Sequence, residues 1–299
     1  MKTIDPKQLE TQVFQQILSG AVVPRPIALA STVDLEGNVN LSPFSFFNCF
    51  SSNPPILVFS PARRVRNNTT KHTLENVLET KEVVINIVNY QMVEQTSLSS
   101  VEFDQGVDEF KKSGLTPVVS ERIKPPRVKE SPVAFECRVN EVKALGEEGG
   151  AGHLVICEVL LVHIDESVLD DDNRISPFKL DAVARLGGDW YCRTNAQSLF
   201  EVPKPGTKSA VGFEALPKSV LQSDILTANN LARLASVEVI PVLTDEEQQS
   251  LFNVLDDCIN EEGTVSTHLV HEKIKHYIDN ANVEMAWKLL LAVEFFNKK

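Results

Sequence analysis

The chain has 299 residues, with 29 Lys+Arg against 41 Asp+Glu and a formal net charge of −12. That balance excludes broad binding to nucleic acid or to an acidic membrane surface, both of which need a basic face. Hydrophobic residues at 42% and charged residues at 23% exclude wholesale disorder and fit a globular protein with a real core.

The N-terminal MKTIDPKQLE has no apolar stretch, so no signal peptide is expected. No run approaches the roughly 18 apolar residues of a transmembrane helix, so no membrane span is expected either. Cys49, Cys137, Cys157, Cys192 and Cys258 are scattered, with no CxxC pair. They read as free thiols of a cytoplasmic protein rather than as a zinc site.

In chain order, Asp5-Pro6 followed by KQLETQVFQQILSG predicts a helix capped by Asp5, opened by Pro6 and stopped at Gly20. Leu9, Val13 and Ile17 recur at a spacing of four and are expected to face a core. The period then changes. PIALASTVD, VNLSPFSFFNCFSS, PPILVFS and KEVVINIVN are short runs rich in β-branched and aromatic residues, each a strand candidate. NNTTKHTLENVLET predicts a short helix with Thr70 or Thr73 near its cap. Glu102 to Lys129 is polar and broken by Gly and Pro, a long excursion of the kind that often carries function. VAFECRVNEVKAL and HLVICEVLLVHID predict two long strands joined by GEEGGAG, a flexible hairpin. SPFKLDAVARLGG predicts a helix stopped by Gly187-Gly188.

Beyond Phe200, EVPKPGTKSAVG reads as a linker. TDEEQQSLFNVLDDCIN, TVSTHLVHEKIKHYIDN and NVEMAWKLLLAVEFF are helical in pattern. The fold class is therefore mainly β, a barrel or sandwich with flanking helices over 1–200, plus a helical C-terminal extension over 201–299. A doubly wound sheet is disfavoured, because helices do not alternate with strands and no GxGxxG follows a strand. His268, His271 and His276 lie on a helical pattern without a carboxylate triad and read as a solvated face. No metal site is expected.

Two segments carry candidate chemistry. SPARRVRNNTTKHTLEN packs Arg63, Arg64, Arg66 and Lys71 beside Ser60, Thr69, Thr70 and Thr73 where a helix begins. A helix start offers free N–H groups and a positive dipole end, so this is either a phosphate cradle or a solvated basic turn with an ordinary cap. In Asn40 to Asn48, rings alternate with Ser and Asn. That is either a face for a planar heteroaromatic ligand or a barrel strand with buried Phe.

These stretches resemble, in order, the flavin reductase-like family of FMN-binding split barrels, which includes flavoredoxins. Pro24-Arg25-Pro26-Ile27-Ala28, NLSPFSFFN, NPPILVFS, TTKHTLENV with EVVINIV, SPVAFECRV, and RLGGDWY at Arg185 to Tyr191 carry the likeness over roughly 180 residues. The resemblance implies an FMN-binding split barrel that forms a homodimer with FMN at or near the subunit interface. It implies that the strand with Leu41, Ser42, Ser45, Phe46, Phe47 and Asn48 lies along the isoalloxazine ring, and that Ser60, Thr70, Lys71, His72 and Thr73 hold the ribityl phosphate. Arg25 is expected either beside the flavin or in a salt bridge, and Arg185 either beside the flavin, against the partner subunit or as part of a helix stop. His153, at the start of its strand, matches a position that contacts the nicotinamide in some flavin reductases.

The activity implied is an NAD(P)H-dependent flavin reductase passing hydride to flavin N5. The alternative is a flavoredoxin-like FMN electron carrier, served by a redox partner protein and without its own NAD(P)H activity. Two positions depart from the pattern: His72 stands where relatives commonly have an acid, and Cys157 where a Gly is usual. The C-terminal extension lies outside the resemblance and is expected to pack on the barrel or the dimer.

Overall fold

A computed structural model describes residues 1–204, 209–260 and 264–296. The chain forms two compact units, Met1–Phe200 and Glu201–Lys299. Part of the linker-like EVPKPGTKSAVG segment, residues 205–208, lies outside the described residues.

The first unit is built on one seven-stranded antiparallel sheet. Its strands are β1 (Ala28–Val33), β2 (Val39–Phe44), β3 (Phe47–Ser52), β4 (Pro55–Phe59), β5 (Glu82–Ile87), β8 (Val133–Ala144) and β9 (His153–Ile164), in the order β2-β1-β5-β8-β9-β4-β3. Two short strands, β6 (Pro117–Val118) and β7 (Arg127–Val128), pair separately. The edge strands β2 and β3 are consecutive in the chain, joined only by Ser45-Phe46. The run VNLSPFSFFNCFSS is thus two strands that part to opposite edges of the sheet.

Alternate residues explain why the sheet curls. Ala28 and Ala30 of β1, Phe44 of β2, Leu57 and Phe59 of β4, Val83 and Ile85 of β5, Cys137 and Val139 of β8, and Val155 and Cys157 of β9 meet in one buried cluster. A single interior reached from all these strands makes a barrel. The Phe44 and Phe59 rings, 5.3 Å apart, bring β2 and β4 together across it. Helix α2 (His72–Thr80) adds Leu74 and Val77 to that interior. Each fully buried Leu or Val contributes roughly 1.5–3 kcal/mol over its exposed state.

The opposite faces of the same strands are covered as well. Leu29 and Leu41 pack outward with Met92, Phe110, Leu115 and Val128. These come from the segment holding α3 (Val93–Leu98) and α4 (Glu109–Ser113). The polar excursion is therefore a cover for the barrel. Buried polar anchors fasten it: Asn86 donates to Leu29 O at 3.0 Å and accepts from Val128 N at 2.9 Å. Glu136, fully buried, accepts from Glu121 N at 2.8 Å and Arg122 N at 2.7 Å.

Four expectations are corrected. The N-terminal helix splits into a 3-10 turn at Pro6–Gln8 capped by Asp5 and α1 (Thr11–Ala21), which runs through Gly20. Its apolar stripe does not enter a buried core, since Val13 is 42% and Ile17 38% exposed. SPFKLDAVARLGG is not one helix. Ser176 caps the single turn α5 (Pro177–Leu180), Asp181 enters the left-handed region at φ 49°, and the chain continues as the hairpin β10 (Val183–Arg185) and β11 (Tyr191–Arg193). Gly187-Gly188 lies in that hairpin's turn. The GEEGGAG hairpin is docked rather than free: Gly150 N donates to Arg63 O and Arg63 N to Ala151 O.

The second unit holds α6 (Lys218–Leu221), α7 (Ala228–Ala235), α8 (Asp245–Asp256), α9 (Thr267–Asp279) and α10 (Val283–Phe296). The expected helices are α8 to α10; α6 and α7 escaped the pattern because they are short. Their core centres on Trp287, whose Nε1 donates to Leu234 O at 2.9 Å, with Leu255, Ile274 and Ile278 around it. His271 is buried in this unit rather than solvated, and burial lowers its pKa. Among the described residues no helix is long and apolar enough to cross a membrane.

Candidate functional site

A cleft of about 620 Å³ opens in the first unit, walled by α1, the β2–β3 crossing, the 60–66 loop and the β10–β11 turn. Six cations line it (Arg25, Arg63, Arg64, Arg66, Lys71 and Arg185) against one carboxylate, Glu102. An acidic protein thus concentrates positive charge on one concavity.

Local structure explains each part. The β2–β3 crossing exposes Ser45 and Phe46 to the cleft because the chain leaves one sheet edge for the other there, with Ser60 N donating to Phe46 O at 2.8 Å. The 60–66 loop is seated on the β8–β9 hairpin through glycines. A Cβ on Gly149 would stand 3.0 Å from Val65 O and 3.1 Å from Arg64 O, and one on Gly152 2.6 Å from Ser60 Oγ. Only glycine permits so close an approach.

At the end of the loop α2 begins. Lys71 occupies its N-cap position and makes no side-chain cap hydrogen bond. Leu74 N already donates to Lys71 O at 2.9 Å, so it is the N–H groups of His72 and Thr73, with the positive end of the helix dipole, that are left for a ligand. Lys71 Nζ lies 5.1 Å from the Phe44 ring centroid, and burial, then the neighbouring Arg64, lowers its pKa despite Glu102. Arg64 donates from Nη1 to Thr69 Oγ1 at 2.9 Å and to Thr70 O, and from Nε to Glu102 at 3.0 Å. A small polar cavity of about 30 Å³ lies at the helix start, walled by Asn40, Ser42, Lys71, His72, Thr73, Glu102 and Glu109 among others.

The sequence-predicted residues are not all brought together. Arg25, Ser45, Phe46, Ser60, Lys71 and Arg185 line the cleft. Ser42, His72 and Thr73 line the small cavity, and Thr73 Oγ1 already accepts from Asn40 at 2.8 Å. Thr70 Oγ1 donates to Glu75 at 2.5 Å. Leu41 is wholly buried in the outer core and offers only its backbone, whose N–H goes to Glu109 at 3.1 Å. Phe47 packs against the barrel interior, and Asn48 is exposed, accepting from Cys49 N at 2.8 Å. His153 is buried with Nδ1 3.3 Å from Pro61 O, and is not among the residues lining the cleft.

Arg25 is more a strut than a donor to a ligand. It is 6% exposed and donates to Val22 O at 2.8 Å, to Leu186 O at 2.9 Å and to Ser19 O. Burial and the adjacent Arg185 pull its pKa below the ordinary value. Arg185 donates to Gly188 O at 2.7 Å and lies 4.5 Å over the Tyr191 ring.

Sequence reasoning missed Gln12, Gln15 and Gln16, which line the cleft from α1. Their spacing of three and four, opposite the Val13–Ile17 stripe, was the available signal. It missed Glu102 and Glu109 for want of any local pattern. Glu109 is buried, and burial raises its pKa although the N–H of Leu41 opposes this. A second cavity of about 320 Å³ shares Pro43, Ser45 and Arg185 with the cleft and is also lined by Thr96, whose buried Oγ1 has no partner. Among the described residues no group of three His, Cys, Asp or Glu side chains is placed to hold a metal.

Residues 19–178 match the flavin reductase like domain. An uncharacterized protein of Aquifex aeolicus is 36% identical over 196 residues, 66% of this chain and 97% of that one. Component B of nitrilotriacetate monooxygenase from Bacillus cereus is similar in structure at a TM-score of 0.63 and 30% identity, covering 68% of this chain and 98% of its own. A split barrel domain protein of Shewanella frigidimarina aligns at a TM-score of 0.57 and 28% identity, over 68% of this chain and 100% of its own. The fold is the split barrel and the chemistry flavin-related oxidoreduction: the chain belongs to the flavin reductase like family.

Proposed function

We propose that the protein is an FMN-dependent oxidoreductase, an NAD(P)H-dependent flavin reductase of the cytoplasm, working as a homodimer. The observation that carries this reading is the uncapped start of α2 beside Lys71 and Arg64, at a cleft walled by the β2–β3 crossing. The donor set fits a flavin phosphate: helix N–H groups, an ammonium, a guanidinium and the Ser60 hydroxyl. Pro43, Phe44, Ser45 and Phe46 supply the wall for a planar ring system, with the Ser45 hydroxyl as a hydrogen-bonding group at its edge.

When bound, the flavin would accept a hydride at N5 from a reduced nicotinamide and pass electrons onward. The chain's own part is to bind, orient and exclude water. Arg25 fixes the end of α1 and the Leu186 turn, setting the width of the cleft. Arg185 places a positive charge where the cleft meets the second cavity.

The homodimer reading rests on apolar side chains exposed on the first unit. Val13, Ile17, Leu18 and Val22 on and beside α1, Phe46 at the crossing and Phe50 on β3 are all at least 38% exposed. A second copy would cover such a surface. The cytoplasmic reading rests on five free cysteines.

A flavoredoxin-like FMN electron carrier without its own NAD(P)H activity, reduced by a redox partner protein, is favoured by one observation: His153 is buried on Pro61 O rather than presented to the cleft. The test is the visible absorption spectrum of the purified, FMN-reconstituted protein, with NADH and then NADPH added anaerobically. Bleaching by either supports the reductase. Bleaching only by a reduced protein donor selects the carrier. A protein that takes up no flavin contradicts both.

A further inference from the structure

Among the residues lining the cationic cleft Glu102 is the one carboxylate, and it pairs with two of the cations. Its Oε1 accepts from Arg64 Nε at 3.0 Å and its Oε2 from Arg66 Nη2. The pairing is long-range, bringing the 99–103 segment onto the 60–66 loop. Arg64 does not need Glu102 to stay in place, because its Nη1 is held from the other side by Thr69 Oγ1 and Thr70 O. Glu102 also walls the cavity at the start of α2, which at about 30 Å³ is water-sized and too small for a phosphate group. Arg64, Lys71 and Glu102 line both the cleft and that cavity. His72 and Glu109 are the other ionisable groups on the cavity wall.

We propose that Glu102 is a specificity-determining residue, an internal carboxylate that a ligand's phosphate must displace from Arg64 and Arg66 to enter the site at α2. This rests on the flavin-phosphate reading above. A phosphomonoester carries close to two negative charges at neutral pH and exchanges favourably for one carboxylate on the same guanidinium edge. A flavin without phosphate brings no charge to replace Glu102 and gains nothing from its departure. Glu102 therefore weakens phosphate binding in general and sets a threshold that favours the dianion.

The test is fluorescence-quenching titration of the full-length wild type, Glu102→Gln and Glu102→Ala with FMN and with riboflavin. Both variants should bind FMN about fivefold more tightly, the worth of one partly buried and one exposed ion pair, with riboflavin affinity unchanged. FMN affinity that is unchanged or weaker in both variants overturns the proposal and leaves the flavin reading intact. Equal tightening of riboflavin also overturns it, because the phosphate would then not be what Glu102 opposes. A wild type that binds FMN no better than riboflavin removes the phosphate site and this proposal with it.

Discussion

Arg25 and Arg185 pair backbone to backbone, with Arg25 N donating to Arg185 O at 3.0 Å and Arg185 N to Arg25 O at 2.9 Å. This isolated bridge ties the turn before β1 to β10, elements 160 residues apart in the chain. The Arg25 side chain completes the joint through the carbonyls of Ser19, Val22 and Leu186. Arg25→Ala leaves these oxygens without their donor and should cost about 2–3 kcal/mol, read as a lower denaturant midpoint. Flavin affinity should fall in parallel, because α1 loses its fixed position. An unchanged midpoint would mean that water replaces the guanidinium at no cost.

Gly149 seats the β8–β9 hairpin on the arginine loop, and the atoms its Cβ would meet, Val65 O and Arg64 O, are backbone and cannot turn aside. Gly149→Ala should destabilise the first unit by about 1–3 kcal/mol and weaken FMN binding by displacing Arg64. Thermal melting and the same titration check it. Gly146→Ala, which meets only Ala151 Cβ at 3.3 Å, is the comparison and should be milder.

Glu136 gives the first unit an acid-sensitive latch. Burial alone would raise its pKa, but the N–H of Glu121, the His163 side chain at 2.7 Å and the N–H of Arg122 outweigh burial and hold it below the ordinary value. A carboxylate depressed in the folded state contributes stability that is full above its unfolded pKa, about 4.3, and is lost as pH falls through the folded value. Wild type should therefore lose stability on acidification below about pH 4.3 more steeply than Glu136→Gln. At pH 7 the variant should be weaker by about 1–3 kcal/mol. Denaturant midpoints from pH 7 downward give both numbers, and parallel curves would contradict the account.

The strands were legible in the sequence because their inward residues alternate, as Ala28 and Ala30, Val83 and Ile85, and Val155 and Cys157 do. What alternation does not encode is what covers a face. The spacing of Val13 and Ile17 predicts an amphipathic helix correctly but does not say whether that face is buried, and both side chains stay well exposed. Gly187-Gly188 reads equally as a helix stop or a hairpin turn, and the tertiary bridge from Arg25 to Arg185 decides it. Lys71 at a helix start was visible as local sequence. Glu102 was not, because its meaning comes from Arg64 and Arg66, 38 and 36 positions away.

Ile17→Asp places a charge in the uncovered stripe of α1 without touching the barrel interior. Sedimentation velocity should find a dimer for the wild type and a monomer for the variant, with far-UV circular dichroism unchanged. FMN affinity should drop along with the dimer. A wild type that sediments as a monomer would contradict the homodimer reading.

The central claim, that a flavin phosphate sits at the start of α2, turns on Lys71. Titrating FMN and riboflavin into the wild type and Lys71→Met tests it most directly. FMN affinity should be roughly tenfold weaker in the variant, the loss of about one charge-assisted contact of about 1.4 kcal/mol, with riboflavin unaffected. Equal affinity of wild type and variant for FMN, or a wild type that binds neither flavin, would contradict it.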